Sequence, residues 1–149
     1  MIQHVWSILC QSASIDVQTN NVSLFNVMEN IVVPSQPSPE KPLVLSCEII
    51  SLWAREKIDE PANGQLQVNF VNPDGRDSQS IILDIDLTKS PLHRTRLTIG
   101  ALPITTTGRF EFRIDYRLMG EENWLTVARL PLFLSSQQPE KVVNNSTVD

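Results

Sequence analysis

At 149 residues, 41% hydrophobic and 19% charged, the chain holds the material for one domain with its own core and is too apolar for a disordered polymer. Its net charge of −5 argues against general attraction to nucleic acid or to an anionic membrane surface. Two cysteines are too few for the disulfide framework of a small secreted scaffold, and no run of about 18 apolar residues exists to span a membrane as a helix.

The opening residues, Met1 to Trp6, carry no Lys or Arg and lead into no signal-peptide pattern, so a cytoplasmic location is expected. Residues 2–12 and 22–33 read as two strands joined through Asp16-Val17-Gln18-Thr19-Asn20-Asn21. Pro34, Pro37, Pro39 and Pro42 follow as a stiff inter-strand loop; the two P-x-x-P spacings also occur in SH3 ligands, but that recognition also needs a flexible exposed segment and suitable basic neighbours. In the third strand Leu43, Leu45, Cys47, Ile49 and Trp53 share one face, with Ser46 and Glu48 on the other. Residues 54–63 are too charged and too short for a stable helix and read as a loop.

Period-2 alternation then becomes clear. Residues 64–70 put Leu66, Val68 and Phe70 on one face and amides on the other, ending in the turn Asn72-Pro73-Asp74-Gly75, where Pro presets φ and Gly tolerates φ > 0. Strands follow over 81–87, with Asp84 and Asp86 outward, and over 92–99. Residues 100–108, with Gly100, Pro103 and Gly108, read as a crossing loop. Phe110, Phe112, Ile114 and Tyr116 alternate with charges along 109–117, and residues 124–134 return as a hairpin partner in which Pro131 must sit at an edge or a bulge. The expectation is an all-β, antiparallel β-sandwich of about eight strands, immunoglobulin-like or C2-like, over residues 1–135, with a disordered polar tail over 136–149.

Three stretches together carry a resemblance: residues 4–10 (His4 to Cys10), residues 22–31 (Val22 to Ile31) and the run Phe70-Val71-Asn72-Pro73-Asp74-Gly75. They resemble a family of small, uncharacterised bacterial β-sandwich proteins, with Gly108-Arg109-Phe110-Glu111-Phe112 as the closing glycine-then-aromatic strand. The resemblance implies a fold and no site. One departure is local: the first connection, residues 11–21, lacks the glycine expected in its turn.

Chemistry finds little foothold. Only His4 and His93 offer an imidazole base; His4 and Cys10 fall on the same strand face but about 20 Å apart along a regular strand, and no G-x-S-x-G elbow exists. Cys10 and Cys47 fit apolar positions as small hydrophobes. Four scattered Cys and His residues make no zinc set, and Asp74 with Asp77 is a weak calcium candidate. Arg94, Arg96, Arg109, Arg113, Arg117 and Arg129 are interleaved with Glu111 and Asp115, which favours cross-strand ion pairs over a phosphate-binding stripe. Trp6, Trp53 and Trp124 read as core packing rather than a sugar platform. By elimination the expectation is a non-enzymatic protein-interaction or scaffold module without a cofactor. It would engage another protein or a second copy through loops and sheet edges, with Asp74, Gly75, Arg76, Thr105 and Thr106 as candidate contacts. The alternatives are a small-ligand or calcium-binding sandwich using loop carboxylates and an enzyme of unfamiliar type.

Overall fold

Alternating apolar side chains need a second layer to cover them, and the chain supplies it as two facing sheets. We describe residues 1–137 from a computed structural model; residues 138–149, nearly all of the expected polar tail, lie outside the described residues. The strands are β1 (Ile2–Ile15), β2 (Val22–Val27), β3 (Asn30–Val33), β4 (Leu43–Arg55), β5 (Ala62–Val71), β6 (Asp77–Leu87), β7 (Leu92–Ile104), β8 (Gly108–Leu118) and β9 (Leu125–Ser136). One sheet has the order β2-β1-β4-β7, the other β3-β9-β8-β5-β6. Between them lies the core, including Leu9, Cys47, Ile49, Trp53, Leu66, Phe70, Ile85, Phe110, Phe112, Ile114 and Leu132. Phe70 stacks on Phe110 at 5.3 Å between centroids and tilts against Phe112 at 4.9 Å, and the Trp53 indole N–H donates to Thr95 Oγ1 at 3.0 Å.

The all-β sandwich is as expected, with four differences in detail. First, residues 22–33 form two strands. Asn26 adopts φ 53°, the chain crosses between sheets at Met28 and Glu29, and β3 pairs with β9 in parallel, the one parallel pairing among the described residues. Second, residues 100–108 are no crossing loop. β7 runs on to Ile104, with Leu102 and Ile104 buried and Pro103 on an edge strand, where its missing N–H breaks no ladder. Only residues 105–107 connect β7 to β8. Third, Val5 is the extra residue of a β-bulge between His4 and Trp6. It slips the alternation by one, so His4 pairs with Trp53 on the inner face while Cys10 pairs with Glu48 on the outer face.

Fourth, the charged face of β8 is not simply solvated. Asp115 is buried and accepts hydrogen bonds from Asn69 Nδ2 (2.9 Å), Arg113 Nε (3.1 Å) and Thr126 Oγ1 (2.6 Å). Thr126 follows from a second bulge in the β8–β9 pairing, and Asn69, expected outside with the other amides, is buried with it. Pro131 lies on the stretch of β9 that β3 does not reach, an edge as expected.

Beyond Cys10, β1 leaves β4 and pairs with β2 alone. Arg96 Nη2 donates to the Ala13 carbonyl at 3.0 Å, the Ala13 N–H donates to the Glu48 carboxylate, and Arg94 Nη2 donates to the Asn20 carbonyl at 2.7 Å. These side chains take the place of a strand partner and hold the end of the β1–β2 hairpin over the outer face of β4 and β7. Cys10 and Ile50, outer-face residues by register, are accordingly 0% and 1% exposed. Asn20 (φ 58°) supplies the left-handed residue that a glycine would have supplied in this turn, and Asp16 Oδ1 caps it by accepting from the Gln18 and Thr19 N–H groups.

Candidate functional site

The change of sheet at Met28 and Glu29 shapes the side of the sandwich on which β1 and β9 face each other. The Met28 N–H donates to the Leu9 carbonyl and the Phe133 N–H to the Glu29 carbonyl, both at 2.9 Å, so the crossing chain is tied to both sheets. β2 flanks β1 only at residues 10–15, and β3 flanks β9 only at residues 133–136. Among the described residues, no strand pairs with the outer edge of β1 along residues 2–8. Beside that edge opens a cleft of about 400 Å³, lined by Ser7, Ile8, Leu9, residues 27–30, Leu130, Pro131 and Phe133. Val27 and Phe133 are each about half exposed at its rim, and Glu29 is its one charged residue.

From the cleft residue Ser7 a short polar chain runs along the inner face of β1 and β4. His4 Nε2 and Ser7 Oγ lie 2.8 Å apart, and Ser7 Oγ and Ser51 Oγ 2.7 Å apart, while the His4 ring meets Trp53 edge-on at 5.0 Å. Burial pushes the His4 imidazole below its ordinary value, which keeps it neutral and able to accept the Ser7 hydroxyl proton in a hydrogen bond. No carboxylate among the described residues hydrogen-bonds His4. The chain satisfies two inward hydroxyls and lacks the third, orienting member of a nucleophilic triad.

At one end of the sandwich Asp74, Thr105 and Thr106, three of the five predicted contact residues, line one cleft, and Gly75 and Arg76 do not. Asn72, Pro73 and Asp74 of the β5–β6 turn face Pro103, Ile104, Thr105 and Thr106 across a cleft of about 350 Å³. Gly108 (φ +133°) joins them closely, since a Cβ there would stand 3.0 Å from Pro73 Cγ. Gly75 (φ +84°) closes the turn through its N–H to the Asn72 carbonyl, and the Arg76 N–H donates to Asp74 Oδ1, both at 2.9 Å. Asp77 is held by Arg113, with Nη2 3.0 Å from Oδ2. The two weak calcium candidates thus point to separate partners, and no group of three or more His, Cys, Asp or Glu side chains suited to a metal ion occurs among the described residues.

The remaining candidates resolve into structure. Arg96 pairs with Glu48, Arg129 with Glu111, and Arg113 with Asp77 and Asp115. Burial alone would raise the Glu48 carboxyl, but hydrogen bonds from Arg96, Thr98 and the Ala13 N–H, with the Arg96 charge, hold it below the ordinary carboxylate value. Trp53 is core, whereas Trp6 sits half-buried on the outer face and Trp124 lies under the Arg117 guanidinium at 4.2 Å. Cys10 and Cys47 are buried free thiols on opposite faces of one sheet, a geometry that cannot bridge, and burial pushes the Cys47 thiol up to about 11. Met28, Leu130 and Phe133 were not distinguished by sequence. The available signal was the absence of Asp, Glu, Lys and Arg from all of β1.

No known family model matches the chain, and no curated protein does. The resemblance to small bacterial β-sandwiches therefore adds nothing to the site. No helix long and apolar enough to cross a membrane occurs among the described residues.

Proposed function

We propose that the chain is a non-enzymatic protein-interaction module whose binding surface is the open side between β1 and β9. The observation that carries this reading is the outer edge of β1 along residues 2–8, which no strand pairs with among the described residues, beside an apolar cleft. Unpaired backbone N–H and C=O groups at a sheet edge are complementary to another extended backbone, and an apolar cleft beside them takes that partner's side chains. The two buried free thiols suit a reducing compartment such as the cytoplasm. A second reading, a small-ligand site at the loop end, is favoured by the Thr105 and Thr106 cleft alone.

Affinity capture at native expression with native mass measurement tests the proposal. Val27→Asp and Phe133→Asp, each at the rim of the open side, should abolish a complex that Asp74→Ala, Thr105→Ala and Thr106→Ala retain. Loss that followed the loop variants instead would move binding to the other end. A monomeric chain with no partner would refute the module.

A further inference from the structure

Both legs of the β1–β2 hairpin leave the sandwich at one rung. β1 makes its last pair with β4 at Cys10, and Cys10 pairs with Val27, the last residue of β2 before the chain crosses to the other sheet. Below that rung the base is fixed, since the Met28 N–H donates to the Leu9 carbonyl. Beyond it residues 11–26 form a closed unit. Among the described residues, Ser12 to Ile15 pair only with Val22 to Phe25, Asn26 Nδ2 donates to Gln11 Oε1, and Asp16 caps the turn. None of these residues belongs to the core, and Val17 at the tip is 100% exposed. The hydrophobic effect therefore does little to hold the unit down.

Side-chain links hold it instead. Glu48 and Arg96 take both backbone groups of Ala13, its N–H on the carboxylate and its carbonyl on Arg96 Nη2, and Arg94 Nη2 reaches the Asn20 carbonyl near the tip. Glu48 is itself positioned by Arg96 Nε and Thr98 Oγ1 of β7, each donating at 3.0 Å. We infer that residues 11–26 are a hinged flap, latched by Glu48, Arg94 and Arg96, that turns on the Cys10–Val27 rung while the two sheets stay folded. Closed, the flap covers Cys10 and Ile50, which lie on the outer face of their sheet. Lifted, it bares them as an apolar strip continuous with the partly buried Trp6 and Leu52, a surface that exists only in the open state. The flap acts whether or not the open side between β1 and β9 takes a partner.

The two thiols separate flap from sandwich, because Cys10 lies under the flap and Cys47 lies in the core. The folded full chain is alkylated with N-ethylmaleimide at mildly alkaline pH, and each cysteine is followed by peptide mass mapping. Cys10 should react about 10-fold faster than Cys47 or more. Arg96→Met should speed Cys10 a further 10-fold or about that, leaving the Cys47 rate and the circular dichroism unchanged. Electrostatics alone gives the opposite sign. Burial and the Glu48 charge push the Cys10 thiol above its ordinary value against the pull of Arg96, so losing that guanidinium would make the thiolate scarcer and the reaction slower. Arg94→Met, which frees only the tip, should act in the same direction and less, and it decides the matter by the same two rates should Arg96→Met not fold. Equal rates for the two thiols in the wild type would overturn the flap. So would rates that rise together in the variants, or a Cys10 rate that the variants leave unchanged or slow.

Discussion

Asp115 offers the sharpest test of how the outer face of the five-stranded sheet is held. Its carboxylate is 5% exposed and accepts from Asn69 and Arg113 on Oδ2 and from Thr126 on Oδ1. Asp115→Ala would leave the amide of Asn69, itself 3% exposed, without its acceptor and would remove a partner of Arg113. Breaking one side of a buried charged cluster costs about 3–5 kcal/mol. Asp115→Asn should be milder. Its oxygen can still face Asn69 and Arg113, while its NH2 donates to Thr126 Oγ1, a hydroxyl that can reverse its role. The loss is then mainly the charge assistance from Arg113, about 1–2 kcal/mol. Urea unfolding should show a lower midpoint for both variants at unchanged slope. For a chain of this length the alanine variant should melt about 10–15 °C lower. Equal losses for Asn and Ala, or a loss below about 1 kcal/mol for Ala, would refute the account of the network.

Two further outcomes follow from local geometry. Gly64→Ala places a Cβ 2.5 Å from the Arg117 carbonyl oxygen on the paired strand, whereas Gly100→Ala meets nothing within 4 Å. Thermal melts should show a loss of about 2 kcal/mol or more for the first and a change within about 0.5 kcal/mol for the second. Glu48 has its folded-state acidity strengthened, so its contribution is present above the ordinary value of 4.5 and lost as pH falls through the lower folded value. The stability difference between wild type and Glu48→Gln should shrink over that acid range, and hydrogen exchange should report opening of the β1–β2 hairpin over the same range.

Most of the sandwich was legible because burial on one face imposes period 2. Phe110, Phe112 and Ile114, or Leu66, Val68 and Phe70, announce a strand and its orientation together. The features that place the candidate site leave no such trace. A bulge at Val5 shifts every later side chain of β1 to the other face without any glycine to mark it. Asn26 takes a left-handed φ that many other asparagines do not, and the strand expected over 22–33 divides just beyond it, at Met28 and Glu29. Asp115 and Glu48 could be placed on an outer face but not recognised as buried, because alternation cannot reveal whether a polar residue finds partners across two strands, or whether a hairpin folds over it. The loop expected over 100–108 failed for a related reason: glycine and proline mark an edge strand as readily as a turn.

These unmarked features have one structural result. Had residues 22–33 continued as a single strand beside β1 in the same register, the edge would be covered to about His4 and no cleft would open toward β9. The switch at Met28 sends Asn30–Val33 to the second sheet, where β3 extends β9 in parallel, and leaves residues 2–8 of β1 without a strand beside them among the described residues. An uncovered edge ordinarily acquires charge or proline, as β6, β7 and β9 have. The same chain that guards those edges leaves residues 2–8 neutral, beside half-exposed Val27 and Phe133. The contrast in charge within one molecule is what singles out this edge as the candidate site.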